Sequence, residues 1–256
     1  MYLACMVQPS APMLIALAVP LTYVALVAIE RFLHTGWAWP ERRGWQVTGA
    51  VCFMLLCVIN ALVSTTMGRL LPHVHLFDGA GWGIAIGTGV GYLLLSLGNA
   101  ALHGAYHRFD FLWRHVHQLH HAPTRLDVAG VMYQTPWEMA ANAVLFFVVT
   151  RPVLGLDPVA TLLCAYLGAF YGMFQHFNAR TPRWLGWFIQ RPEAHCEHHR
   201  RGAHAGNYSD LPLWDMLAGT WTNPAGFDGD LGFEPCNAAR AGEMLRGRDV
   251  EASPRG

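Results

Sequence analysis

Lysine is absent from the 256 residues, so all 17 basic side chains are arginine, and they only balance the 17 acidic ones. A net charge of zero argues against a general nucleic-acid binder, which must neutralise many phosphates. Charge of either sign is scarce: 13% of residues are charged, against about a quarter in a soluble domain. Disulfide and zinc-thiolate frameworks find no support either. The six cysteines, Cys5, Cys52, Cys57, Cys164, Cys196 and Cys236, form no C-x-x-C pair and fall mostly inside apolar runs. They read as small buried apolar side chains. A phosphate loop is missing too: Gly83, Gly87 and Gly91, with Gly89 between them, do not follow G-x-G-x-x-G, and no β-α-β pattern surrounds them. Their four-residue spacing predicts close packing of helices in a membrane.

What the chain has in excess is apolar residues, 53% of the total, gathered into blocks long enough to cross a bilayer, which takes about 20 residues of helix. Residues 1–29 carry no charge and 11–29 are almost wholly apolar, which reads as a retained helix rather than a signal peptide because no basic n-region or small-residue cleavage site accompanies it. Residues 46–68 and 79–107 are the next charge-free blocks. A shorter run at 139–150 and a longer one at 158–179 are separated by Arg151-Pro152 and Gly155-Leu156-Asp157-Pro158, where a helix should break. They predict a helical hairpin, at about 139–178, that re-enters or crosses the membrane. Arg31, Arg42 and Arg43 follow the first block while Arg69 follows the second, so the positive-inside rule puts the first loop and most of the chain after His103 on the cytoplasmic side. The fold expected is all-α: a polytopic integral membrane bundle with a cytoplasmic-side, histidine-rich, metal-binding cap. Its parts are N-terminal membrane helices at 1–102, a histidine-box region at 103–235 and a polar tail at 236–256. The stretch from Arg246 onward is expected to be mobile.

Histidine is the informative residue. There are 14, and 11 lie between His103 and His204. His103 and His107 are four apart, which on a helix means one face. His117, His120 and His121 repeat the idea at i, i+3 and i+4; His195, His198 and His199 repeat it again. His176 and His204 stand nearby in sequence as further candidates. An ion takes about four to six ligands, and imidazole suits iron, zinc, copper or nickel, so nine or ten converging histidines imply two ions in an all-nitrogen site. His34, His73, His75 and His115 read as ordinary surface or core side chains.

The run from Leu112 to His121 with Pro136-Trp137-Glu138 downstream, together with Gln175-His176-Phe177-Asn178, Arg191-Pro192-Glu193-Ala194-His195-Cys196-Glu197-His198-His199, Asn207-Tyr208-Ser209 and Trp214-Asp215-Met216-Leu217-Ala218-Gly219-Thr220, resembles the fatty acid hydroxylase and sterol desaturase superfamily over roughly residues 80 to 250. The resemblance implies a membrane-embedded non-haem diiron oxidoreductase that uses O2 and two electrons to hydroxylate or desaturate a lipid C–H bond. The metal ligands it implies are His103, His107, His117, His120, His121, His195, His198 and His199, with His176 completing the site, His204 as a tenth candidate and Asn207 supporting the ligands. Small residues stand where the family has larger or polar ones before and after its first box (Ser96, Ala100, Ala101, Gly104), and Thr135 stands where a histidine commonly precedes Pro-x-Glu. The spare length holds no fused redox domain, so a separate electron donor of ferredoxin or cytochrome type is expected. The exposed arginines Arg180, Arg183, Arg191, Arg200 and Arg201 are positioned to meet it or anionic headgroups. A bacterial inner membrane is favoured over endoplasmic reticulum. The competing readings are a polytopic metal carrier, which would place histidines and acids inside the spans, and an inactive lipid-binding homologue.

Overall fold

The computed structural model describes residues 10–33, 36–71 and 75–251. Cys5, His34 and His73 lie outside them. The expected all-α architecture is what the chain adopts: helices throughout and, among the described residues, no strand beyond an isolated bridge between Arg200 and Leu231. Four helices have the length and apolar composition to cross a membrane: α1 (Ala11–Leu33), α2 (Trp45–Leu70), α3 (Ile84–Arg108) and α6 (Pro158–His176). Between α3 and α6 lie α4 (Gln118–His121) and α5 (Pro136–Val148); after them come α7 (Pro192–His198) and α8 (Pro212–Ala218).

The outer helices leave large apolar side chains uncovered, among them Leu17, Leu21 and Val24 on α1 and Val51, Met54, Val58 and Leu62 on α2. Such a surface is stable in lipid and would aggregate in water. Cys57 belongs to that lipid-facing surface and Cys236 to an exposed turn, while Cys164 and Cys196 are buried and Cys52 is half-buried. The reading of every cysteine as a core residue therefore holds for only two of those described.

α1 and α3 both pack on α6, and α2 packs on α5. Gly87 and Gly91 make the α3–α6 approach possible. A β-carbon at Gly91 would lie 2.7 Å from Leu156 Cδ1 and 2.9 Å from Cys164 Sγ, and one at Gly87 would lie 3.4 Å from Ala160 Cβ. The other two glycines serve differently: Gly83 precedes α3 with φ +78°, and Gly89 faces open space. Gly91→Leu is accordingly expected to destabilise the protein by about 1–3 kcal/mol through overpacking, while Gly89→Leu is tolerated. Paired thermal melts in detergent check this, and equal melting temperatures would contradict it.

The hairpin turns at 155–158 as expected but not at Arg151-Pro152. Helix does not stop at Arg151-Pro152; it continues as a π-turn, Val149–Val153, and breaks only after Leu154. A proline ring clashes with the carbonyl four residues back, and the wider π-turn relieves that clash. Asp157 then starts α6 by accepting hydrogen bonds from the Val159 and Ala160 amides, with Pro158 in the first turn where its missing N–H costs nothing. Backbone bonds from Leu76, Phe77 and Gly79 to the carbonyls of Pro152, Val153 and Leu154 join the turn to the α2–α3 connection. The hairpin thus reaches the end of the bundle opposite the histidines.

At the histidine end, Glu30 at the foot of α1 accepts from the amides of Val128 and Asn178. Buried Trp45 donates its indole N–H to Asp127 at 2.7 Å. Met244 and Val250 are buried in the same apolar cluster as Trp45, Leu119 and Phe233. The Gln118 amide also donates to the Arg248 carbonyl at 2.7 Å. This corrects the expectation of a mobile end from Arg246: as far as Glu251 the segment is folded back onto α4, because it contributes apolar side chains that α4 alone leaves uncovered.

Candidate metal centre

The imidazoles converge in two clusters. His103, His107, His117, His121 and His198 form the first; His120, His176, His195 and His199 form the second. Within each, one ligating atom per residue lies within 4.8 Å of all the others. Both H-x-x-H-H motifs are divided between them. His117 and His121 go to the first cluster and His120 to the second, whereas His195 and His199 go to the second and His198 to the first. Helix geometry explains the division: at about 100° per residue, i+4 lies about 40° to one side of i and i+3 about 60° to the other. His121 and His199 stack face to face at 4.1 Å where the clusters meet.

Second interactions orient the rings. Nδ1 of His103 lies 2.9 Å from the Tyr208 carbonyl, Nδ1 of His198 lies 2.6 Å from the Gly206 carbonyl, and His107 is hydrogen-bonded to the backbone of His204. A carbonyl only accepts, so each of these rings carries its proton on the bonded nitrogen and turns a lone pair inward. Nδ1 of His117 donates to Glu138 Oε1 at 2.9 Å, and His120 bonds the backbone of Tyr133.

Three of these anchors come from one loop, 204–208, whose backbone turns through left-handed conformations at His204 (φ 43°), Gly206 (φ 75°) and Asn207 (φ 51°). Asn207 makes its hydrogen bonds away from the imidazoles. Its amide donates to the Ala194 carbonyl and Thr222 hydroxyl and accepts from the Thr222 amide, tying the loop to α7. Asp215 receives the amides of Tyr208 and Ser209, both at 2.8 Å.

The donor set fits metal ions. Nε2 of His103 and Nε2 of His117 face each other at 3.0 Å, yet both rings already carry their proton on the far nitrogen, so two lone pairs meet. His117–His121 and His176–His195 repeat the spacing at 3.0 Å. Two nitrogens bound to one ion at about 2.1 Å and at right angles would lie about 3.0 Å apart. His107 Nε2, His120 Nδ1 and His198 Nε2 are buried with no hydrogen-bond partner, a cost that a bound cation would remove. Burial pushes the His120 imidazole down to about 3. Burial, reinforced by neighbouring imidazoles, holds His117, His121, His195, His198 and His199 well below the usual value of about 6.5. Neutral rings are what a metal requires.

Of the ten candidate ligands, one is placed differently. His204 belongs to neither cluster: its Nδ1 is 3.2 Å from His121 Nδ1 and its Nε2 is 3.6 Å from Glu251. His115 lies outside both clusters, stacked on Phe111, and His75 is exposed. Thr135 caps α5 by accepting from the Glu138 amide and donates to the Val116 carbonyl. Ser96 meets Ser209, with 3.3 Å between the hydroxyl oxygens. A β-carbon at Gly104 would make only ordinary contact with Tyr208, and His103 takes its orientation from the Tyr208 backbone, so the small residues around the first box leave it anchored.

Arg191 corrects the expectation of an exposed rim. It is fully buried, paired with Glu193 at 3.1 Å, and donates to Thr181, Asn223 and Pro224. Thr181 in turn donates its amide and hydroxyl to Glu193. The Arg191–Glu193 pair sits at the start of α7 and holds the third histidine motif in place. Arg191→Ala would strand a buried carboxylate and is expected to cost about 3–5 kcal/mol, read as a collapse of the detergent melting temperature; an unchanged melt would show that the pair does not hold α7.

Among the described residues, a helical bundle with four membrane-length helices and two histidine clusters able to hold metal has the make-up of an integral membrane metalloprotein. The sequence model of the fatty acid hydroxylase family matches residues 88–220, just over half of the chain and every histidine of both clusters. The chain belongs to that family, within the fatty acid hydroxylase and sterol desaturase superfamily, and with membership come oxygenase-type enzyme activity and typical iron dependence. No curated protein and no solved structure gives a match.

Proposed function

We propose that the protein is an O2-dependent lipid hydroxylase or desaturase holding one iron ion in each histidine cluster. The observation that carries this reading is the pair of clusters whose neutral, anchored imidazoles turn lone pairs toward a common point. Two irons bound there supply the O2 activation needed to oxidise an unactivated C–H bond. The ligands are His103, His107, His117, His121 and His198 for one ion and His120, His176, His195 and His199 for the other, with Asn207 positioning the carbonyl loop. The chain's own part is to keep the rings neutral, fix their direction through Glu138 and the carbonyls of 204–208, and bury the centre away from bulk water.

The clusters lie at one end of the membrane helices, where a lipid can approach from the bilayer and a separate ferredoxin- or cytochrome-type donor from the aqueous side. Arg31, Arg42, Arg43 and Arg108 flank the spans at that end, against Arg69 and Arg151 at the other, which supports a cytoplasmic placement in a bacterial inner membrane. Arg180 and Arg183 remain exposed there for a donor or for headgroups. The same one-ended placement gives a metal carrier no polar path through the spans.

The test is to purify the protein, measure iron, supply reductant and O2, and follow added lipids by mass. Two irons per chain and products with one oxygen gained or two hydrogens lost are expected. Iron at stray levels, or no O2 uptake with any lipid class, would overturn the proposal.

A further inference from the structure

A cavity of about 110 Å³ opens beside both clusters, between the histidine-end turns of α3, α5 and α6. Ligand sites that take hydrocarbon are lined mainly by apolar groups. This one is mixed: apart from Val131 and Gly172, the residues lining it are the imidazoles and other polar or phenolic side chains, whose carbons share the surface with their polar atoms. Asp210 in its wall is already satisfied, accepting from the Tyr92 hydroxyl at 3.1 Å and the Gln175 amide at 2.7 Å. Three other lining residues outside the proposed ligand set are not. The Tyr106 hydroxyl, Glu138 Oε2 and Asn142 Oδ1 are all buried without a hydrogen-bond partner, and Tyr106 and Glu138 are only 3% and 2% exposed. Glu138 spends its other oxygen on His117, so Oε2 is free to accept. Plain methylenes against these groups would leave all three unpaired, which burial penalises.

We infer that the part of the substrate reaching the metal centre carries a hydrogen-bond donor, a hydroxyl or an amide N–H, that meets Glu138 Oε2, Asn142 Oδ1 and the Tyr106 hydroxyl. This rests on the proposed lipid oxidation in one respect, that the cavity beside the clusters is where the lipid reacts. The carbon attacked then lies within a few bonds of a polar group, and a hydrocarbon tail far from any functional group is a poor fit. Sites built to hydrogen-bond a substrate group discriminate strongly against analogues that lack it.

Donor-blocked probes test this without turnover. Binding of 1-octadecanol against its methyl ether, and of octadecanamide against its N,N-dimethyl derivative, is measured by native mass spectrometry on the iron-loaded full chain, anaerobically and without reductant. Each donor is expected to bind at least about 10-fold more tightly than its blocked partner. In Tyr106→Phe and Asn142→Leu, which remove no proposed ligand, iron content is expected to stay and the preference to shrink toward twofold. Equal binding of donor and blocked probes by the wild type overturns the inference, as does a preference that survives in both variants. Should a variant fail to fold, the wild-type comparison decides alone. O2 uptake with reductant is read separately: a donor preference without any lipid oxidation sinks the proposed function and leaves the cavity's selectivity standing, and oxidation without preference does the reverse.

Discussion

Alanine at His120 is expected to leave the protein with about one iron instead of two, and alanine at the adjacent His121 to do the same by emptying the other cluster. The two residues are neighbours in sequence yet belong to different ligand sets. Each substitution removes one donor from one set and leaves the other set complete. Activity should fall by more than about 100-fold in both, because even changes to groups that only support a ligand typically cost 10–100-fold. The double variant should hold almost no iron. Elemental analysis of the purified variants decides it: loss of both irons from either single variant would mean that the clusters bind as one indivisible unit, and full retention would mean that these rings are not ligands.

Acid is expected to unfold the metal-free protein unusually early. In the folded chain His120 titrates near 3, and His117, His121, His195, His198 and His199 are likewise held well below the ordinary value by burial. In the unfolded chain each takes up a proton at about 6.5. Below that pH the unfolded state binds more protons than the folded one, so stability falls as pH falls, by up to about 1.4 kcal/mol per pH unit for each imidazole. Above it the contribution is flat. Asp210 and Glu138, whose carboxyls burial pushes up, oppose the trend, two groups against six imidazoles. The melting temperature of iron-free protein in detergent should drop by more than about 10 °C between pH 7.5 and 5.5. Bound iron should raise the whole curve without flattening it, because the liganded rings are unprotonated too. A melting temperature that stays level over this range would show that the imidazoles are more solvated than the packing indicates. For the same reason metal affinity should persist well below the ordinary imidazole value of about 6.5, because burial delays protonation of the folded site.

Much of the fold was legible because lipid imposes a simple rule on sequence. The uncharged blocks at 46–68 and 158–179 became α2 and α6 within a few residues of their ends. The histidine spacing was legible as ligand spacing for an equally local reason, since i, i+3 and i+4 share a helix side. How His120 parts from His121 was less so, because it depends on where the whole helix points, and a π-turn at Trp113–His117 shifts that direction by adding a residue to one turn. Arg191 misled because a lone arginine near a membrane surface is ordinarily exposed; its partners Thr181, Asn223 and Pro224 are 10 to 33 residues away in sequence. The loop at 204–208 gave only faint signs, Gly206 and Asn207, the residues that most readily adopt left-handed backbone.

That loop also decides what mutagenesis is able to see. His103, His107 and His198 are held in place by peptide carbonyls, and every amino acid brings one. Side-chain scanning through His204 and Tyr208 leaves those acceptors where they are whenever the backbone path survives, so residues that anchor two of the nine clustered imidazoles would be scored as dispensable. Their contribution would surface only when the path itself is bent, by any side chain at Gly206, whose β-carbon would lie 2.8 Å from the Thr220 carbonyl oxygen, or by loss of the Asp215 carboxylate that gathers the amides on either side of Tyr208's carbonyl.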